Sequence, residues 1–246
     1  MRHIDWRIKA VLSLLFAGAV VYIIVYAVRD AASDVLINLA TDITLIPVAV
    51  FVMKLLIDGI LTEREKHTTN RKMSMVVGAF FSEVGTSLIE RFRGFDVRAE
   101  ELLGATALKM EWADRDFLRL QGRLRDHGYG VDSRSGNLEE LKAFMTEKRD
   151  FMVRLLENPN VLEQESFSDL LWAVFHLNEE LAHRKDLGRL SPADYEHLSG
   201  DMRRAYGLLA AEWGVYLRHL RDRYPYLFSL AVRTNPFDPQ ATAEIV

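Results

Sequence analysis

The chain contains no cysteine. That excludes disulfides, thiolate zinc sites, iron–sulfur clusters and a catalytic thiol. Proline is scarce, with six in 246 residues, and only Pro47 falls inside a proposed helix body. Neither sign of charge dominates: 31 Lys and Arg against 35 Asp and Glu leave a formal net charge of −4. A dedicated nucleic-acid binder is usually strongly basic, so no nucleic-acid partner is expected. No stretch alternates apolar and polar residues as a half-buried strand does. There is no internal repeat, phosphate loop, dinucleotide fingerprint or nucleophile elbow. Nothing resembling an ATP-binding domain is present, which excludes a histidine kinase.

What the sequence does have is an uneven distribution of apolar residues, concentrated at the front. Ala10 to Val28 is 19 residues without a charge, about the length that crosses a hydrocarbon core of roughly 30 Å as a helix. A second apolar segment covers about residues 35–57, interrupted by Asn38, Thr41, Asp42 and Thr44. Only Arg29 to Asp34 separates the two, so residues 1–60 read as a two-helix transmembrane hairpin in a lipid bilayer. Basic residues flank both outer ends (Arg2, Arg7 and Lys9; Lys54, Arg64 and Lys66). The positive-inside rule then places both termini in the cytoplasm. Asp42 is the unusual residue, because a carboxylate in hydrocarbon is costly unless protonated, paired or wetted. Tyr22 and Asn38 are its candidate polar partners. Gly18 with Ala17 and Ala19 permits close helix approach and hence self-association.

Residues 61–234 read as a helical stalk followed by a cytoplasmic antiparallel helical bundle. Met73, Val77, Phe80, Val84 and Leu88 recur at steps of three and four, one face of a helix. Asp96 is a candidate cap for a helix carrying Leu103 to Leu124. Asn137 opens a third helix, and Asn158-Pro159-Asn160 stops it. A fourth runs from about Val161 to Arg184. Ser191-Pro192-Ala193-Asp194 is a strong start signal for a fifth, with a hydroxyl cap, proline at the first position and an acid at the third. It ends near Arg223. Residues 235–246 read as a frayed tail. The fold class is therefore all-α.

The best candidate for chemistry is the run Phe175 to His183. Glu180 and His183 have the Glu-x-x-His spacing of di-metal bundle sites, and Asp194-x-x-His197 is the nearest second copy. With Phe167 as the zero direction, His176, Glu180 and His183 lie about 140–180° away, off the apolar face. No metal, cofactor or catalytic residue is assigned on that ground. Asn178 falls inside the apolar stripe and is expected to be buried and bonded to a neighbouring helix. Asp201, Glu212 and His219 line one edge of the fifth helix as a polar boundary.

The run INLATDITLIPVAVFVMKLLIDGILTERE, within a match over roughly residues 8–66, resembles the start of uncharacterised bacterial membrane proteins. These carry a two-span N-terminal hairpin and a cytoplasmic helical domain. The run YPYLFSLAVRTNPF is similar to the ends of other uncharacterised bacterial proteins. The resemblance implies the bacterial inner membrane and no catalysis. The expected function is a membrane-anchored helical interaction module, a scaffold or sensor for an unknown protein partner. Two alternatives stand beside it: a homo-oligomeric ion- or proton-responsive membrane protein using Asp42, and a bundle metalloenzyme.

Overall fold

The computed structural model describes residues 13, 16, 18–20, 22–24, 26–27, 49–54, 57–59, 73–162 and 164–244. The chain divides into two units, Met1–Thr68 and Thr69–Val246. The described residues of the first unit are helical. Crossing a bilayer takes about 20 predominantly apolar residues. Among the described residues, no helix is long and apolar enough to cross a membrane. Among the described residues, the long helices belong to the second unit, and charged side chains punctuate them. This corrects the expected transmembrane hairpin, with its spans at 10–28 and 35–57, and with it the two-span membrane placement. Tyr22 is helical and 66% exposed. Asn38 and Asp42 lie outside the described residues.

The second unit begins with helical residues 73–80, a π-helical turn over Phe81–Gly85, and α1 over Thr86–Arg93. Thr86 directs both its N–H and its hydroxyl to the Phe81 carbonyl, which the wider turn displaces from the ordinary ladder. A β-carbon at Gly85 would fall 2.6 Å from the Phe81 ring, so only glycine lets that ring fold back over the turn. Beyond α1, Asp96 does not start a long helix. Its Oδ1 accepts the N–H groups of Arg98 at 3.0 Å and Gly130 at 2.8 Å, tying this segment to residues 130–132 through an isolated antiparallel bridge between Asp96 and Val131. The expected helix is instead a short α2, Glu100–Leu103, and a separate α3, Asp114–Asp126.

Asn137 accepts from the Glu140 N–H at 3.1 Å and opens α4, Leu138–Leu156. The single-turn α5, Pro159–Leu162, leads to α6, Glu165–His183. Then come α7, Pro192–Arg223, and α8, Pro225–Arg233. The centre of the unit is α7, which packs along α6, α3 and α8, while α4 covers another side of α6. Gly214 lets α3 come close: a β-carbon there would meet Gln121 Cγ at 3.2 Å. Tyr206 is fully buried and joins distant parts of the chain, with ring centroids 5.6 Å from Phe92, 4.5 Å from Tyr129 and 6.2 Å from Phe237. The beginning of the expected tail is docked. Asn235 donates to the Thr106 carbonyl at 2.8 Å, and Phe237 is buried against Trp213.

The α7 start rests on Ser191, whose hydroxyl oxygen accepts from the Asp194 N–H at 3.1 Å. Ser191→Ala is expected to lower unfolding free energy by about 1 kcal/mol. Urea titration should show an earlier midpoint with an unchanged slope.

Candidate metal centre between α6 and α7

Helices α6 and α7 are antiparallel neighbours joined by the short segment 184–191. Each carries two potential ligands one turn apart: His176 and Glu180 on α6, His197 and Asp201 on α7. Glu180 and His197 are the pair nearer the loop, and His176 and Asp201 lie one turn further out. Residues four apart share a helix face, so all four side chains meet on one side of the helix pair.

Asp201 is the focus. It is only 5% exposed, and among the described residues its Oδ2 has no hydrogen-bond partner. Nε2 of His197 lies 3.2 Å from that oxygen and Nε2 of His176 lies 3.4 Å from it. The three ligand atoms are all within 4.8 Å of one another. Nε2 of His197 is also 3.5 Å from Glu180 Oε2, and Nε2 of His176 is 4.0 Å from Glu180 Oε1. A zinc ion bonded at about 2.0–2.1 Å to tetrahedral ligands holds them roughly 3.3 Å apart. The distances around Asp201 Oδ2 match that spacing. The two imidazoles are about half exposed, whereas the carboxylate they face is buried.

The surroundings hold these groups in place. Arg184 Nη1 donates to Glu180 Oε2 at 2.6 Å, and its Nη2 donates to Asp194 Oδ1 at 3.3 Å. The Arg184 hydrogen bond, aided by the Arg184, His197 and His176 charges, holds the Glu180 carboxyl below its ordinary range, against partial desolvation. Glu180 is therefore an ionised carboxylate at neutral pH. Arg204 approaches the other Asp201 oxygen, with Nη1 3.7 Å from Oδ1. Outer partners of this kind orient metal ligands and tune their basicity.

Sequence spacing suggested a different grouping. His183 is exposed, and its Nδ1 contacts the Glu179 carbonyl at 2.8 Å, away from the cluster. Asp194 is occupied by Ser191 and Arg184. The Glu-x-x-His pairs thus contribute Glu180 and His197 alone, and the spacing that operates is four residues rather than three. Asp201 completes the set, although in the sequence it reads as a boundary residue. The signal that finds it is a pair of i, i+4 ligand couples placed symmetrically about a short interhelical loop.

Other singled-out residues lie elsewhere. Asn178 is buried at 1% exposure, and neither of its amide atoms has a hydrogen-bond partner. Among the described residues, the expected bond to a neighbouring helix is not found. Burial pushes the Glu212 carboxyl upward, against a hydrogen bond to Ser166.

Comparison with known proteins adds a family. A family model described as "Uncharacterized protein MJ1433, C-terminal helical domain" matches residues 69–233. The chain is 37% identical over 225 residues to "Uncharacterized protein MJ1433" of Methanocaldococcus jannaschii, covering 92% of this chain and 90% of that one. No solved structure matches the chain. The relative is archaeal, which corrects the expectation of a bacterial inner-membrane protein. The family match starts at residue 69, next to the boundary between the two units. On this match and this identity, the chain belongs to the uncharacterised MJ1433 family and carries its C-terminal helical domain.

Proposed function

We propose that the helical domain is a metal-responsive interaction module, which takes up one divalent transition-metal ion between α6 and α7. The observation that carries this reading is the buried Asp201 Oδ2, which faces two imidazole nitrogens at 3.2 and 3.4 Å and has no hydrogen bond. A buried carboxylate oxygen without a hydrogen bond is costly. An ion at the point shared by the two imidazoles removes that cost. The nitrogen and oxygen ligand set, without thiolate, suits zinc and its neighbours in the transition series. With Glu180 as fourth ligand the shell is closed. Closed shells characterise structural ions, whereas catalytic ones keep an open position. The ion would staple α6 to α7, so its arrival or loss would change the rigidity of this face. That supports a sensor or scaffold over an enzyme.

The test is equilibrium dialysis of the metal-stripped full chain against zinc, followed by elemental analysis. One zinc per chain is expected, and His197→Ala should reduce it to background. Cobalt(II) should give the visible absorption of a four-coordinate ion. Absence of saturable binding, or an unchanged stoichiometry in the variant, would sink the reading.

A further inference from the structure

The far half of α7 borders a second feature, independent of the metal cluster. A cleft of about 520 Å³ opens between the helical rod of residues 73–93 and the pair α7 and α8. Small-molecule sites commonly measure roughly 300–1,000 Å³. The cleft exists because the two walls differ in bulk. Gly78, Ser82 and Thr86 recur every four residues along the rod and present little side chain. Across from them stand Trp213, Tyr216 and Leu220 of α7, continued by Tyr224, Leu227 and Leu230. Tyr216 is fixed by stacking on Phe81, with centroids 4.7 Å apart and planes 10° from parallel. The rim is not fully covered, since Leu227 is 38% and Leu230 41% exposed.

Two observations narrow the occupant. First, none of the described lining residues is Asp, Glu, Lys or Arg. The titratable ring at the edge, His219, is held below the ordinary imidazole range by burial and then by the Arg223 charge, so it is neutral at pH 7. Burial likewise raises Tyr216, which stays an uncharged phenol. A charged ligand would lose its hydration here and gain no counter-charge. Second, the rod's π-turn lies against the cleft, with Phe81 and Ser82 both in its lining. Such turns are energetically poor and recur at functional sites. The Thr86 and Thr234 hydroxyls are committed to the Phe81 and Leu230 carbonyls, while the exposed Ser82 and the Tyr216 hydroxyl are among the lining groups able to meet a polar atom.

We propose that this cleft binds a neutral, planar, ring-bearing small molecule, stacked on the aromatic wall of α7 with its polar atom toward the hydroxyls of Ser82 and Tyr216. Flat rings gain both buried area and ring-to-ring contact against such a wall.

The probe is indole, a neutral bicyclic ring with one N–H donor, titrated into the full chain by calorimetry. Its anionic and cationic analogues, indole-3-acetate and tryptamine, are run in parallel. Saturable indole binding is expected, with both charged analogues weaker by about tenfold or more. Gly78→Leu should weaken indole by at least about tenfold, because a β-carbon at Gly78 sits in ordinary contact with Tyr216, 3.8 Å away, and the rest of the side chain fills the cleft. Ser82→Leu, at an exposed position, obstructs the same space, and a melting curve for each variant verifies folding. Repeating the titration in Asp201→Ala separates this site from the metal cluster, and unchanged indole binding is expected there. No saturable binding, equal or tighter binding of a charged analogue, or full affinity in both folded leucine variants would overturn the proposal.

Discussion

Asp201→Ala is expected to cost more than about 100-fold in zinc affinity, beyond the upper end of what losing an outer-shell partner costs. The reason is geometric. Asp201 Oδ2 is the atom both imidazoles share, at 3.2 and 3.4 Å. Without it, His176 and His197 share only the partly exposed Glu180 carboxylate, at 4.0 and 3.5 Å. Zinc at about 1,000 times its dissociation constant adds about 4 kcal/mol to a native state that binds it alone. That increment should disappear from the thermal unfolding of the variant. The wild-type increment should itself depend on pH. Imidazole binds metal only in its unprotonated form, so the zinc increment should shrink as the solution is acidified. Asp201→Asn keeps the shape of the side chain and removes its charge. If it retained full affinity, the carboxylate would not be a ligand.

Asn178→Leu is expected to stabilise the domain by about 1–3 kcal/mol, the cost of a buried polar group left without partners. Leucine keeps the branching at the γ position and offers methyl groups where the amide has Nδ2 and Oδ1. The amide is buried and makes no bond to a protein group. Its flanking α6 residues Val174, Leu177 and Leu181 are fully buried, so the site is already apolar. Chemical denaturation measures the change directly. A loss of stability instead would mean that an ordered water satisfies the amide, or that the extra carbon volume strains the core.

Much of the helical architecture could be read from local signals. Ser191-Pro192 and Asn137 start helices because a side-chain oxygen at each satisfies a free N–H three residues on. Asn158-Pro159 ends α4 because proline breaks its hydrogen-bond ladder. The failures arose where a distant group claimed a local signal. Asp96 has the chemistry of a cap, but the Gly130 N–H, 34 residues away, takes up the same oxygen. Residues 235–244 are rich in turns, yet Phe237 finds a place among Tyr206 and Trp213 that no local pattern announces. The membrane reading rests on hydropathy, flanking charge and resemblance, and no described helix is long and apolar enough to answer to it. The cluster of His176, Glu180, His197 and Asp201 is hidden from the sequence for another reason. His176, Glu180 and His197 each lie off the apolar face of their own helix, and a wheel drawn for one helix assigns such residues to solvent. Two off-core faces that meet along a helix pair make a site neither wheel contains.

The loop between α6 and α7 has a kinetic consequence. All four candidate ligands come from residues 176–201, so bringing them together requires closing only one short loop. Loop closure is cheap at that length, and contacts close in sequence form early in folding. An ion captured there would act on the α6–α7 hairpin before the rod of residues 73–93 and Phe237 have docked. In refolding experiments zinc should therefore accelerate the folding limb and not merely slow unfolding, placing this helix pair within the transition state.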